Sequence, residues 1–409
     1  MAVAAKEASR VLATATTKTK NGALKAMARE IRKRRTAILK ANVADLRSAR
    51  RSQRSEAFIE RMTLNAQRIE GIAAALEQVA RLPDPVGRTI PFAKRPNGLK
   101  IEKMRVPLGV VAIIYESRPG VTADAAGLCV KSGNAAILRG GKETVRTNKV
   151  IADALATGLR KSGLPPGAVG FVNDPDRAAV RELLTLDSLI DLVIPRGGPD
   201  LTVAVRRESM IPVLAHDKGL VHVYVDRFAD PRMAERIALN AKTERPGVCN
   251  AMETLLVDVK YPRTTGLVSA LMKHGVEVRG CERTARLIPT IERATASDWD
   301  TEYLGLILSV KIVDGVDGAI RHIAKHGSGL AEAIVTRSGK NAERFLSRVD
   351  AGAVYHNAST RFTDGGEFGL GAEMGISTQK LHARGPVALE GLTCEKYVVR
   401  GRGQVRCST

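Results

Sequence analysis

From residue 110 onward, short apolar runs rich in β-branched residues alternate with helix-like stretches of about ten residues, and this rhythm restricts the fold more than any other feature. The first runs lie at 110–115, 135–138, 169–172, 189–194, 221–225 and 255–259. A second set lies at 306–313, 333–336 and 353–355, with helical patterns at 315–325 and 340–349. Strands that are apolar throughout, separated by helices, predict a mostly parallel sheet covered on both faces, hence an α/β protein. Residues 1–80 read differently. Ala23, Met27, Ile31 and Ile38 recur at helical spacing with basic residues between them. The run Arg32-Lys33-Arg34-Arg35 then reads as a solvated helix face. Pro83-Asp84-Pro85, Pro91 and Pro96 break the pattern over 82–98.

The 409 residues suffice for two or three domains. With 44% hydrophobic residues the chain is neither disordered throughout nor a disulfide scaffold. Five cysteines (129, 249, 281, 394 and 407) form no C-x-x-C pair and suit a reducing compartment. The opening segment carries Lys6, Glu7 and Arg10, so no apolar leader is read there. The longest apolar stretch, 106–115, is interrupted by Pro107 and Gly109 and is too short to span a membrane. Cytoplasm is the expected location. The net charge is +21, and residues 1–70 hold 17 basic and 6 acidic residues, about half of that excess. Such a balance admits a nucleic-acid-binding reading. Against it stand an aromatic content of 3% and the absence of any recognition-helix or RNA-binding signature.

Common catalytic signatures are missing. No G-x-G-x-x-G follows a strand, Lys142 lacks the glycine and hydroxyl residues of a P-loop, and neither H-E-x-x-H spacing nor a carboxylate cluster points to a metal. Two glycine pairs do stand at strand ends, in Arg139-Gly140-Gly141-Lys142 and Arg196-Gly197-Gly198. Each reads alone as a tight turn. Two together, each beside a cation, suit a phosphorylated ligand at the carboxyl ends of parallel strands. Cys249, in Arg245-Pro246-Gly247-Val248-Cys249-Asn250, lies in a loop between a helix (232–243) and a strand (254–259), a setting of partial exposure that suits a reactive thiol. Cys129, inside an apolar helical stretch, reads as inert core.

These segments resemble the γ-glutamyl phosphate reductases, a branch of the aldehyde dehydrogenase superfamily. The resemblance is carried by Pro107-Leu108-Gly109-Val110-Val111, by both glycine-pair runs, by 245–257, by 357–366 and by Gly-Leu-Gly-Ala-Glu-Met-Gly-Ile-Ser-Thr-Gln-Lys-Leu-His-Ala-Arg-Gly-Pro at 369–386. It implies an aldehyde dehydrogenase-like fold with two parallel-sheet domains and an oligomerisation strand segment. The expected division is 1–226 for the N-terminal helices and cofactor domain, 227–355 for the catalytic domain, and 356–409 for a return to the cofactor domain. A strand near 98–107 would join an intersubunit sheet with the C-terminal segment, giving a homodimer or homotetramer.

The implied reaction is reduction of γ-glutamyl phosphate to glutamate-5-semialdehyde with NADPH, the second step of proline biosynthesis, with possible channelling from glutamate 5-kinase. Cys249 falls on the nucleophile and Glu302 on the carboxylate near the nicotinamide ribose. Arg139, Gly140, Gly141 and Lys142 fall on the adenosine side, where Lys142 or Arg139 would meet the 2′-phosphate of NADP. Arg196, Gly197 and Gly198 fall on the turn facing the pyrophosphate and nicotinamide. The water-activating Glu of hydrolytic relatives falls near Ala215-His216, where no Glu stands. Substrate contacts are expected from Asn250, Asn357, Ser359, Thr360, Arg361 and Asp364. The sequence departs from the family pattern at Gly120, Val221, Glu244, Gly305 and His356, where Asn, Cys, Gln, Asp and Val are expected. Glu244 matters most, because an inward-pointing carboxylate would raise the thiol pKa. Two other functions stay open: an acylating dehydrogenase with another acyl donor, and a nucleic-acid-binding protein on an inactive fold.

Overall fold

The computed structural model describes residues 1–216 and 218–406, so Cys407 lies outside the described residues. The N-terminal region is helical, with helices at Ala2–Leu12, Thr17–Lys33, Arg35–Arg51, Glu56–Met62 and Ala66–Arg81. Ala23, Met27, Ile31 and Ile38 are fully buried and pack with Ile69 and Leu76 into one core. The helical spacing runs on through 31–38 in the sequence, but the structure breaks it at Arg34 (φ −94°, ψ 13°). Two three-turn-or-longer helices can then pack separately, which one rigid rod could not do. The basic run is also not wholly solvated. Arg32 reaches Glu70 and Glu77 on the helix Ala66–Arg81, at 2.7 and 2.5 Å.

Strands β1 (Thr89–Lys94) and β2 (Lys100–Pro107) form an antiparallel hairpin. Strands β3 (Val110–Tyr115), β4 (Ala135–Arg139), β5 (Val169–Phe171) and β6 (Leu192–Arg196) form a parallel sheet in the order β5-β4-β3-β6. Every residue of β3 is buried, as a central strand covered on both faces requires. Strands β7 (Val221–Val225), β8 (Met252–Asp258), β9 (Glu277–Gly280), β10 (Glu292–Arg293), β11 (Ile307–Val313), β12 (Ala331–Val335) and β13 (Ala353–His356) form a second parallel sheet. Its order is β10-β9-β11-β8-β7-β12-β13. Short strands β14 (Gly375–Ser377) and β15 (Gly385–Val387) pair antiparallel, and β16 (Thr393–Arg400) runs antiparallel along the whole of β2.

Two parallel sheets thus follow from the alternation, with one difference in where they divide. The boundary drawn at 226 leaves 221–225 with the first sheet. In the structure this strand lies in the second, between β8 and β12, so the chain changes sheets between Arg196 and Val221. An apolar strand needs parallel neighbours on both sides, and its own residues do not say which. After β13 the chain returns to the first sheet: Met374, Val387, Leu389 and Leu392 pack into the core beneath it. No helix among the described residues is long and apolar enough to cross a membrane.

Candidate active site

Cys249 sits in the loop between the helix Pro231–Thr243 and β8. Asp230 starts that helix by accepting from the Met233 N–H at 2.9 Å, and Pro231 pre-sets its first turn. The loop is braced from below by a buried ion pair, Lys242 to Glu253 at 2.6 Å. Glu253 also accepts from the Leu304 N–H at 3.1 Å, which ties helix, strand and the Glu302 loop together. Cys249 itself is half-buried. Burial first, then the charges of Glu302 and Glu373, push its thiol up to about 11, while Arg196 and its own backbone N–H pull the other way. Cys129, by contrast, is completely buried and its thiol is pushed up to about 12 by burial alone, consistent with inert core.

Segments distant in sequence meet around this thiol. Glu302 accepts from the Gly219 N–H at 2.9 Å. Gly219 in turn lies so close under Cys249 that a Cβ there would fall 2.1 Å from the Cys249 carbonyl oxygen. The Glu302 carboxylate therefore fixes the backbone on which the thiol loop rests. Arg196, at the end of β6, faces the 369–386 segment across a cavity of about 40 Å³ lined also by Gly197, His216, Met374 and Gly375. Glu373 accepts from the Gly365 N–H at 2.9 Å, and burial raises its carboxyl.

The glycine pairs have a more specific explanation than ligand approach. A Cβ on Gly141 would fall 2.3 Å from Ser117 Oγ, and one on Gly140 would fall 2.2 Å from the Asn148 amide nitrogen. A Cβ on Gly197 would press on the Glu116 carboxyl at 2.7 Å. These glycines admit neighbouring side chains, Glu116 and Ser117 just after β3 and Asn148 on the helix Val145–Lys161. Glu116 also accepts from the Gly198 N–H at 2.7 Å, at the start of the helix Pro199–Glu208. The turn therefore already receives an anion, which is the chemistry a cofactor phosphate would need there. Arg139 is committed elsewhere: its guanidinium donates to the carbonyls of Gly140 at 3.0 Å and Pro175 at 2.9 Å. Lys142 is exposed.

The residues expected to touch substrate divide into two groups. Asn250 and Arg361 do come together beside Cys249, joined by a very short Arg361-to-Asn250 side-chain bond. Asn250 Nδ2 donates to the Thr363 carbonyl at 2.8 Å, and Thr360 Oγ1 donates to the Asn250 carbonyl at 2.9 Å. The others are turned to backbone groups. Asn357, in the left-handed region at φ 57°, spends its amide on the Thr336 N–H and carbonyl, both at 2.9 Å. Ser359 accepts from the Arg361 N–H, and Asp364 accepts from the Gly366 N–H at 2.8 Å to close a turn. Short polar side chains in such loops ordinarily satisfy nearby backbone first.

The departures are largely absorbed. Glu244 is turned to Arg361, accepting at 2.7 Å, and its charge is not among those that raise the Cys249 thiol. Val221 is fully buried in an apolar cluster against which Cys249 packs. His356 Nε2 meets the Thr336 carbonyl at 3.1 Å. Gly120 and Gly305 would each admit a Cβ at ordinary contact distance, and nothing in the packing explains glycine there.

Two charged groups escaped the sequence reading. Arg118 follows β3, and Asp124 lies on the outward face of the helix Gly120–Lys131. Neither side chain has a hydrogen-bonded or ion-paired partner among the described residues. Both are open to solvent yet crowded by surrounding protein, as on a cleft wall. That crowding pushes the Asp124 carboxyl up to about 6 against the pull of Arg196, and it lowers the Arg118 pKa, which the charges of Arg61 and Arg196 lower further. The pairing of β3 with β6 sets Tyr115 opposite Arg196, which brings the three groups together.

The aldehyde dehydrogenase family profile matches residues 1–279 and 272–380, so the two-sheet fold is of that class. The γ-glutamyl phosphate reductase of Clostridium kluyveri is 53% identical over 404 residues, 98% of this chain and 97% of that protein. The one from Rhizorhabdus wittichii is 53% identical over 99% of this chain and 95% of that protein. The crystal structure of the γ-glutamyl phosphate reductase from Thermotoga maritima superposes with a TM-score of 0.97 at 47% identity, covering 99% of this chain and 98% of that one. The chain belongs to the γ-glutamyl phosphate reductases of the aldehyde dehydrogenase family.

Proposed function

We propose that the protein reduces γ-glutamyl phosphate to glutamate-5-semialdehyde, with release of phosphate, through a thioester on Cys249. The observation that carries this reading is the grouping of Arg196, Glu302 and Glu373, from three separate motifs, around one half-buried thiol. Cys249 Sγ attacks the γ-carbonyl carbon and its proton passes to the Glu373 carboxylate, whose raised pKa makes it the better base. The backbone N–H of Cys249, which lies against the sulfur, is placed to stabilise the oxyanion. The bond from the acyl carbon to the bridging oxygen breaks and phosphate leaves with the electron pair, steadied by the Arg196 guanidinium, which has no ion-paired partner among the described residues.

Bound NADPH supplies the hydride that reduces the thioester carbon. Gly197 and Gly198, once Glu116 moves aside, would hold the cofactor's pyrophosphate, and Lys142 rather than the committed Arg139 would meet the 2′-phosphate. The resulting thiohemiacetal releases the aldehyde as the C–S bond breaks, and Glu373 returns the proton to sulfur. No Glu stands at Ala215-His216, where the water-activating Glu of hydrolytic relatives falls, which favours hydride over hydrolysis. Asp124 and Arg118 offer opposite charges for the substrate's α-ammonium and α-carboxylate. The sheet β1-β2-β16 is the assembly surface of a homo-oligomer.

The reading is tested by steady-state kinetics in the direction of acyl-phosphate formation. Cys249→Ser is expected to lower kcat by about a thousandfold or more. Asp124→Asn and Arg118→Gln are expected to raise KM for the semialdehyde by about tenfold or more while leaving KM for NADP within twofold. Retained turnover in Cys249→Ser, or equal effects of Asp124→Asn and Arg118→Gln on both substrates, would contradict it.

A further inference from the structure

A second cavity, of about 520 Å³, opens beside β11 and involves none of the residues assigned above to catalysis. Its wall includes Lys311, Arg321, His322, Lys325 and His326. The charges there do not balance. Both acids on the wall are already engaged: Asp314 with Arg283 at 2.7 Å, and Glu282 with Arg286 at 2.6 Å and Arg293 at 3.4 Å. Asp314 attracts Arg321 only from a distance, and neither the Arg321 nor the Lys325 side chain has a hydrogen-bonded or ion-paired partner among the described residues.

Lys311 is more informative still. Its Nζ lies 5.0 Å over the Trp299 ring and 3.0 Å from His322 Nδ1. An ammonium can only donate, so Nδ1 accepts and the ring proton sits on Nε2. Burial first, then His222, Lys311, His326 and Lys325, push His322 down to about 2, so the ring is neutral. Lys311 is thus a half-buried cation in close contact with two uncharged rings, and burial lowers its own pKa against the pull of the Cys281 thiol on the same wall. His322 Nε2–H is itself buried and has no acceptor among the described residues. Cations taken out of water without a counterion are costly, and folded proteins ordinarily pair them.

We infer that this cavity binds a phosphate-bearing small molecule, held by Lys311, Arg321 and Lys325. Three cations beside an unsatisfied donor match a compact dianion, and Arg suits phosphate by its forked geometry. The volume exceeds what a bare ion needs and falls within the roughly 300–1,000 Å³ of small-molecule sites. His326 also meets Asp300 at 2.8 Å, two residues before Glu302, so an occupant touching His326 would adjoin the loop that carries that carboxylate. This inference is one of binding and stands apart from the catalytic reading.

Trp299 is the only tryptophan of the chain and touches the site, so its fluorescence reports occupancy. The full-length protein is titrated with inorganic pyrophosphate and, separately, with malonate, at constant ionic strength. A saturable change with pyrophosphate, at least about tenfold weaker with malonate, is expected. Arg321→Ala with Lys325→Ala should weaken it by about tenfold or more, and both side chains are exposed, so the fold should survive their loss. Arg196→Ala, at the other site, should leave it unchanged. No saturable response, an equal response to malonate, a response that survives loss of Arg321 and Lys325, or one that Arg196→Ala removes, would each overturn the inference.

Discussion

With its thiol pushed up to about 11, chiefly by burial, Cys249 is overwhelmingly protonated at pH 8 in the ligand-free protein. Alkylation of Cys249 by iodoacetamide, followed on its own peptide by mass spectrometry, should therefore be slow at pH 8 and climb steeply past pH 10. The sign of each neighbour's effect follows from its charge. Removing a negative charge with Glu373→Gln favours the thiolate, lowers the thiol pKa and should speed alkylation at pH 8 by about threefold to tenfold. Arg196→Ala removes a stabilising positive charge and should slow it. A Glu373→Gln rate equal to that of the parent would show that the carboxylate does not act on the thiol. Cys249 was legible as a candidate because Pro-Gly before it and Asn after it mark a loop, and Glu302 only through the family resemblance. Glu373 lies within a motif quoted for its pattern, yet its action on the thiol depends on the return of the 369–386 segment across the sheet. Arg118 and Asp124 carried no signal, since their meaning arises only when β3 lies beside β6. Asn357 and Asp364 were expected to touch substrate because they are polar residues in a family-specific loop, and in the structure their side chains meet backbone groups.

Among the elements, the apolar runs located the long buried strands within a few residues, because a parallel strand covered on both faces leaves an uninterrupted apolar signature. Strands β9 and β10 were missed. They are four and two residues long and include Glu277, Arg279, Glu292 and Arg293, so no apolar run announces them. The helix break at Arg34 was missed too, since a continuous periodic pattern fits one bent helix or two. The pairing of β2 with β16, 286 residues apart at Pro107 and Thr393, was foreseen from family resemblance and not from local pattern. That sheet leaves Ile90, Phe92, Tyr397 and Val399 about half exposed, with the Phe92 and Tyr397 rings 5.3 Å apart and Lys103 over both. Apolar side chains on an open-edged sheet suit an intersubunit contact. The double substitution Phe92→Asp with Tyr397→Asp should shift the protein to a lower-mass species in light scattering, with unchanged circular dichroism. An unchanged mass would place the assembly contact elsewhere.

For the molecule as a whole, the charge of +21 is the property most open to a different reading. Much of its N-terminal share lies on helices that carry none of the residues around Cys249, and Arg32, Arg54 and Arg68 there are paired with carboxylates. Loose phosphate contacts of this kind weaken steeply with salt. Binding to duplex DNA, measured by anisotropy, should fade between low and physiological salt; micromolar or tighter binding at physiological salt would favour the nucleic-acid function instead. The central claim, acyl-phosphate chemistry at Cys249, is tested most directly by phosphate dependence. Glutamate-5-semialdehyde and NADP are mixed with the enzyme, and NADPH absorbance is followed with and without inorganic phosphate. NADPH should accumulate catalytically only when phosphate is present, because phosphate is the group that must release the thioester. Sustained NADPH formation without phosphate, or none with it, would contradict the account.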